Sequence, residues 1–202
     1  MTRPLRILLS VLSVPLLILV SWLTYHETRV PHEQVEVFNR MIELEKEGRY
    51  DKAVEVAQNW MSDDGRNVAR DIVMYDQIAM VYILKAYKRP GTREESVRRA
   101  EDNLEKALNF FDSQKQDGLN LELFEIGGGF EVLGDLSEKD KCRFYEKASM
   151  AFARQLPMIN GDSYTAYGKT IPLEPVRSDV RKHLNAINEK SAKAGCPVSS
   201  EK

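Results

Sequence analysis

Apolar residues recur at helical spacing along most of this chain. From residue 34 onward they return every three or four positions, which predicts amphipathic helices rather than strands. The predicted helices span residues 34–47, 50–61, 68–87, 93–111, 119–133, a stretch that ends at Pro157, and 176–194. Residues 158–174 lack the pattern, and Pro172 and Pro175 exclude a regular helix, so this segment is predicted to be irregular.

The segment 48–54, with the sequence GRYDKAV, joins the first two predicted helices by a turn. Gly48 permits the positive φ angle with which many helices end. Tyr50 is large enough to hold the two helices apart, and Ala53 is small enough to let them cross closely. The segment is therefore typical of a helix–turn–helix unit.

Two further patterns occur in the next pair of helices, in the order that such a unit requires. They are Tyr75-x-x-Ile78-Ala79-x-x-Tyr82 and Ala100-x-x-x-Leu104-x-x-Ala107. Together with segment 48–54 they resemble the tetratricopeptide repeat (TPR) family, in which the first helix of a unit carries W-x-x-L-G-x-x-Y. The units are irregular, because Ala53 and Ala100 lie farther apart than the family's usual period of about 34 residues.

The resemblance implies an all-α fold, namely a TPR-like α-solenoid of about three helix–turn–helix units in a domain of residues 34–194. The last predicted helix would cap the open end of the solenoid, and residues 195–202 would form a flexible tail. Another α-solenoid or a helical bundle is the alternative.

Three consecutive glycines, Gly127, Gly128 and Gly129, lie within an otherwise apolar helical pattern. They lower the helix propensity by about 3 kcal/mol in total. Either the helix packs very closely against a neighbour at this point, or it is bent or broken.

The N-terminal residues 7–25 form an uncharged, largely apolar run. As a helix the run would be roughly 28 Å long, about the thickness of a bilayer's hydrocarbon core. Because Arg3 and Arg6 precede it, the positive-inside rule places residues 1–6 in the cytoplasm. We therefore expect a transmembrane signal-anchor, a linker at residues 26–33 and a periplasmic repeat domain. A cleaved signal peptide, for which the run lacks an A-x-A-like site, and a buried soluble helix are the alternatives.

Composition and charge exclude some classes of partner. The chain of 202 residues is 43% hydrophobic, enough for one domain with a sizeable core. Its formal net charge is −2, and the repeat domain is more acidic than that, since Arg3 and Arg6 precede it. Nucleic acid and anionic lipid surfaces need clustered basic residues, so neither is an expected partner.

The chain offers no recognisable catalytic or metal-binding constellation. His26, His32 and His183 are scattered, and no pair has the spacing of helical metal ligands. The glycine run is not followed by the Lys-Ser/Thr of a phosphate loop, and there is no G-x-S-x-G motif. We therefore expect neither an enzyme nor a bound cofactor.

Cys142 and Cys196 are the only cysteines, and both lie beyond the predicted membrane segment, where disulfides persist. A bond between them would close a long loop and contribute about 4 kcal/mol in the chain-entropy model. The alternative is a buried free Cys142 and an unpaired tail Cys196.

In the TPR family the first helix of each unit lines an inner groove. Transferred by motif position, this groove would be lined here by Val35, Phe38, Ile42, Val73, Asp76, Met80 and Ile83. Since most of these residues are apolar, the groove would take an amphipathic helix or an extended apolar segment of a protein. The alternative is that they belong to the core.

The sequence thus predicts a membrane-anchored scaffold or adapter that mediates protein–protein interactions in a cell-envelope complex. The second hypothesis is a self-associating structural protein, a homo-oligomer, whose groove holds its own extension.

Overall fold

A computed structural model describes residues 32–63, 68–113, 122–166 and 169–197. The described part contains seven α-helices and one β-hairpin, and the expectation of a mainly helical fold is confirmed. The elements are α1 (His32–Lys46), α2 (Tyr50–Asp63), α3 (Val68–Lys88), α4 (Arg93–Ser113), α5 (Glu122–Leu136), α6 (Lys141–Gln155), β1 (Ser163–Ala166), β2 (Lys169–Pro172) and α7 (Glu174–Lys193).

The predicted cytoplasmic N-terminus (1–6), transmembrane segment (7–25) and most of the linker (26–33) lie outside the described residues. Among the helices of the described ranges, none combines the length and the apolar character that crossing a membrane requires.

The helices pack as hairpins in chain order. α1 packs on α2, α3 on α4 and α5 on α6, and a short connection joins the two helices of each pair. Helix α3 also contacts α2 of the preceding pair, and α5 contacts both α3 and α4. Helix α7 packs on α6. Each pair therefore buries its apolar side against the next one.

The first hairpin turns at Gly48, which has a φ angle of +70°. The Gly48 amide donates to the Glu45 carbonyl at 2.9 Å, and the Arg49 amide donates to the Leu44 carbonyl at 2.8 Å. These two bonds satisfy carbonyls that the helix end would leave unpaired. Tyr50 and Ala53, in the first turn of α2, are both buried, and the predicted turn is confirmed.

The TPR-like motif residues are core residues. All but Tyr75, which is half-buried, are buried: Ile78, Ala79, Tyr82, Ala100, Leu104 and Ala107. The alanines let α3 and α4 approach closely, since their side chains add little thickness between the helices.

Helix α5 runs without a break through the three glycines. A Cβ atom on Gly127 would lie 3.0 Å from Phe152 Cε1, and one on Gly129 would lie 2.8 Å from Leu104 Cδ2. A Cβ on Gly128 would meet nothing within 4 Å. Of the two alternatives, close packing against α6 and α4 is therefore the one found.

The segment predicted to be irregular contains β1 and β2, which pair antiparallel with Ser163 opposite Pro172. The prediction was wrong here, because the strands are too short for an alternating pattern to stand out. Helix α7 also begins at Glu174, earlier than predicted. Pro175 lies in its first turn, where a missing amide hydrogen costs no helical hydrogen bond.

A disulfide joins Cys142 to Cys196, with the sulfur atoms 2.08 Å apart and the Cα atoms 5.3 Å apart. Cys142 lies in the first turn of α6, and Cys196 follows the end of α7. The bond thus fastens the C-terminal helix to the third hairpin.

Candidate functional site

The seven residues expected to line the groove divide into two groups. Ile42 is 44% exposed, and Val35, Phe38, Val73 and Met80 are half-buried. The other two are buried: Asp76 and Ile83. Ile83 belongs to the hydrophobic core and Asp76 is buried to a similar degree, so the burial of these two residues favours the alternative that they are part of the core.

Helix α3 carries a half-buried stripe on one side. Val73, Gln77, Met80 and Leu84 follow one another at helical spacing, and each keeps part of its surface accessible. Tyr87 continues the stripe and is 47% exposed. The rest of the helix between Ile72 and Ala86 is largely buried by its neighbours, so this stripe is the side of α3 that a partner could contact.

Helix α5 contributes a similar stripe next to α3. Glu125, Gly128 and Val132 are half-buried, and the space above Gly128 is open. Helix α3 packs on α5. We call the seven residues the α3–α5 face: Val73, Gln77, Met80 and Leu84 of α3 with Glu125, Gly128 and Val132 of α5.

Asp76 lies beside this face, one turn after Val73 and one turn before Met80. Its exposed fraction is only 4%, and its Oδ1 atom has no hydrogen-bond partner within the described residues. Burial, followed by the charges of Glu125 and Glu122, raises the pKa of Asp76 well above its ordinary value. A buried carboxyl oxygen without a hydrogen bond destabilises the fold, and carboxyl groups with a strongly shifted pKa are concentrated at functional sites.

Two other carboxylates of the described part that are buried or half-buried, Glu101 and Glu131, have cationic partners. Glu131 accepts a hydrogen bond from Lys190 Nζ at 2.8 Å and lies 3.2 Å from His183 Nδ1. Burial alone would raise its pKa, but the contacts with His183 and Lys190 bring it below the ordinary value. Glu101 is held in the same way by Arg143 and Lys147. Asp76 therefore differs from these carboxylates in its surroundings.

Glu45 is a second carboxyl with an altered environment, and sequence reasoning missed it. It lies three residues after Ile42 on α1 and is half-buried. Burial raises its pKa to about 7. Its spacing from Ile42 could have been noticed as a continuation of the stripe that Phe38 and Ile42 begin.

A small open cleft of about 220 Å³ lies at the turn of the first hairpin and is lined by Gly48, Arg49, Tyr50, Asp51, Lys52 and Arg89. Arg89 donates from Nη2 to the Gly48 carbonyl at 2.5 Å and lies 5.2 Å from the centre of the Tyr50 ring. Lys85 also pairs with Asp51 at 2.6 Å. These contacts hold the C-terminal end of α3 and the residue after it against the first hairpin.

Within the described ranges, no group of three or more histidine, cysteine, aspartate or glutamate residues could hold a metal ion. Of the histidines, His26 lies outside these ranges, and His183 contacts Glu131 and the rings of Phe124 and Phe152. The absence of a catalytic or cofactor function stays a prediction.

No protein-family model matches this chain, and comparisons with curated proteins and with solved structures likewise gave no match.

Proposed function

We propose that this protein is an adapter with a TPR-like α-solenoid whose α3–α5 face binds a segment of a partner protein. The order of packing supports the solenoid, since each hairpin contacts the next and α7 follows the last one. In this arrangement α1, α3 and α5 are the first helices of three units, which is where the TPR family binds its partners.

The observation that carries the proposal is the accessible apolar stripe on α3. Val73, Met80 and Leu84 keep part of their surface exposed although α3 is otherwise one of the most buried helices of the described part. Exposed apolar surface at helical spacing suits an amphipathic helix or an extended apolar segment. The acidic residues nearby do not suit nucleic acid.

The proposal includes a location. Residues 7–25 would anchor the protein in the inner membrane, with the helical domain in the periplasm as part of a cell-envelope complex. The disulfide between Cys142 and Cys196 supports an oxidising compartment. The adapter would have no catalytic activity and would need no cofactor.

Photo-crosslinking tests the proposal. A photoreactive amino acid replaces Met80 in the full-length protein in its native membranes, and a matched variant carries it at Met150 of α6. Met150 is 58% exposed and lies on a different hairpin, so it controls for non-specific contact. We expect one specific heavier band, identified by mass spectrometry, from position 80 and none from position 150.

The other outcomes separate the hypotheses. A band at twice the monomer mass that contains only this chain would replace the adapter by the self-associating structural protein. Equal crosslinking from both positions, or no band from position 80, would contradict a binding role of the α3–α5 face.

A further inference from the structure

The hairpin of β1 and β2 is a sheet of only two strands, so each strand has an outer edge. No further strand of the described residues pairs with either edge. The chain at the start of β1 is accessible, since Asp162 and Ser163 are exposed and Tyr164 is 38% exposed. An open edge of this kind offers unpaired amide and carbonyl groups to another extended segment.

The register shows which backbone groups point outwards from β1. The Leu173 amide donates to the Asp162 carbonyl at 2.9 Å, so these two residues face each other within the hairpin. Because the backbone groups of an antiparallel strand alternate between its two sides, Tyr164 also faces β2, and the groups of Ser163 and Thr165 point outwards. The Ser163 amide has no hydrogen-bond partner within the described part of the chain. β1 therefore presents backbone groups with which a further strand can pair.

The outer edge of β2 differs, because its sequence opposes the addition of a strand. By the same alternation Pro172 faces outwards, and proline has no amide hydrogen to donate. β2 also carries Lys169. Proline and lysine are residues with which proteins protect the edges of sheets. β1 has neither residue and no charge, so its outer edge is the one suited to pairing.

A second copy of β1 fits that edge. When two β1 strands lie antiparallel with their Tyr164 residues opposite each other, Ser163 of each copy lies opposite Thr165 of the other. Each outward amide then meets an outward carbonyl. No like charges meet, and the tyrosines form an aromatic cross-strand pair. Because the protected edge of β2 remains on the outside, the assembly closes at two copies.

We infer that β1 is a self-association edge, through which two copies of this protein pair antiparallel about Tyr164. The interface is small compared with that of a permanent dimer, so the pairing needs a high local concentration. It goes beyond the proposed adapter function and does not rest on it, since β1 contributes no residue to the α3–α5 face. A pair of copies presents two such faces, which strengthens binding to a partner that carries two segments.

Disulfide trapping tests the pairing. A single cysteine replaces Tyr164, Ser163 or Met150 in the full-length protein, which is purified in detergent micelles at high concentration and oxidised with copper phenanthroline. Cys142 and Cys196 are already bonded to each other. In the inferred pairing the two Tyr164 Cα atoms are about 4.5 Å apart, within the range that a disulfide spans. The two Ser163 residues are diagonal neighbours, about 7–8 Å apart and beyond that range.

We expect Tyr164→Cys to form a covalent dimer at least about tenfold faster than Ser163→Cys or Met150→Cys. Met150 is 58% exposed on α6, so its variant reports the rate of random collisions. Non-reducing gel electrophoresis over time measures the three rates.

A second pair of variants tests the backbone hydrogen bonds. In the Tyr164→Cys protein, Ser163→Pro removes the outward amide without removing a hydrogen bond of the hairpin. We expect it to slow dimer formation by about tenfold or more, because each copy loses one bond across the interface. Ser163→Ala is the matched control, since it keeps the amide and should leave the rate unchanged.

Equal rates for Tyr164→Cys and Met150→Cys would overturn the inference and leave the edge to an extended segment of a different protein. Equal rates for Tyr164→Cys and Ser163→Cys would contradict the antiparallel register, and equal effects of Ser163→Pro and Ser163→Ala would contradict the hydrogen bonds. The adapter function is tested separately at Met80, so either proposal can fail while the other stands.

Discussion

At the scale of single residues, Asp76 is expected to reduce the stability of the fold. Its pKa is raised in the folded state, so the stability that its protonated form contributes is complete below the unfolded pKa, near 3.8. That contribution is lost as the pH rises towards the raised pKa. We predict that Asp76→Asn raises the free energy of unfolding by about 1–2 kcal/mol at pH 8. Urea unfolding of both proteins at pH 4 and pH 8 measures the difference, which should be smaller at pH 4.

The outcome that contradicts this prediction is a variant less stable than the wild type at pH 8. It would mean that the Asp76 carboxylate is stabilised in the folded state. Asp102→Asn, which makes the same chemical change on the exposed side of α4, is the control.

Glu45 gives a second prediction, in which removing a buried carboxyl group again raises the free energy of unfolding. Burial raises its pKa from 4.5 to about 7, so its protonated form adds stability below pH 4.5 that is lost by the time the pH exceeds 7. We predict that Glu45→Gln stabilises the fold by about 1–2 kcal/mol at pH 8, after allowing for partial solvent screening, and changes little at pH 4. Thermal unfolding across this range measures the effect. Glu36→Gln, on an exposed position of α1, is the control, and an equal gain from both variants would refute the role of burial.

The residue scale also shows what sequence could and could not predict about the site. Motif spacing predicted that Asp76 and Met80 lie on the same side of α3. In the structure Met80 belongs to the α3–α5 face, and Asp76 lies beside that face. The burial of Asp76 and its closeness to Glu122 and Glu125 could not be predicted, because both depend on how α3 packs on α5. The burial of Ile83 could not be predicted for the same reason. Helix α3 has neighbours on more sides than the TPR-like motif implies.

At the scale of one element, substitutions in α5 test whether close packing explains its three glycines. A methyl group on Gly129 would lie 2.8 Å from Leu104 Cδ2, so Gly129→Ala should destabilise the fold by about 1–3 kcal/mol. Gly128→Ala is the matched control, because the space above Gly128 is open and alanine favours the helix by about 1 kcal/mol. We therefore expect the melting temperature to fall for Gly129→Ala and to rise for Gly128→Ala. Equal shifts of the two would contradict close packing as the reason for the glycines.

The elements themselves were predictable to different degrees. The helices could be predicted because their apolar spacing persists for many turns. The first turn could be predicted because Gly48 readily adopts the positive φ angle that the turn requires. The pair β1 and β2 escaped prediction because each strand has only four residues. Their pairing depends on register between Ser163 and Pro172 rather than on any local pattern.

At the scale of the whole molecule, each hairpin of the described part contacts the next one in sequence. At the C-terminal end, α7 packs on α6, and its Lys190 pairs with Glu131 and Asp135 of α5. The disulfide adds a covalent connection at the same place. A crosslink at the C-terminal end should therefore contribute most to the stability of the fold.

The disulfide should contribute a large share of the stability, because Cys142 and Cys196 are 54 residues apart in sequence and the bond restricts the unfolded chain. We predict that the double variant Cys142→Ser, Cys196→Ser loses about 4 kcal/mol of unfolding free energy. Urea unfolding measures the loss, and amide exchange should show the largest loss of protection in α7. Adding a reductant should destabilise the wild type by a similar amount and leave the double variant unchanged. If reduction leaves the wild-type midpoint in place, α7 is held by its packing and by the Lys190 ion pairs, and the bond is not needed to secure the C-terminal end.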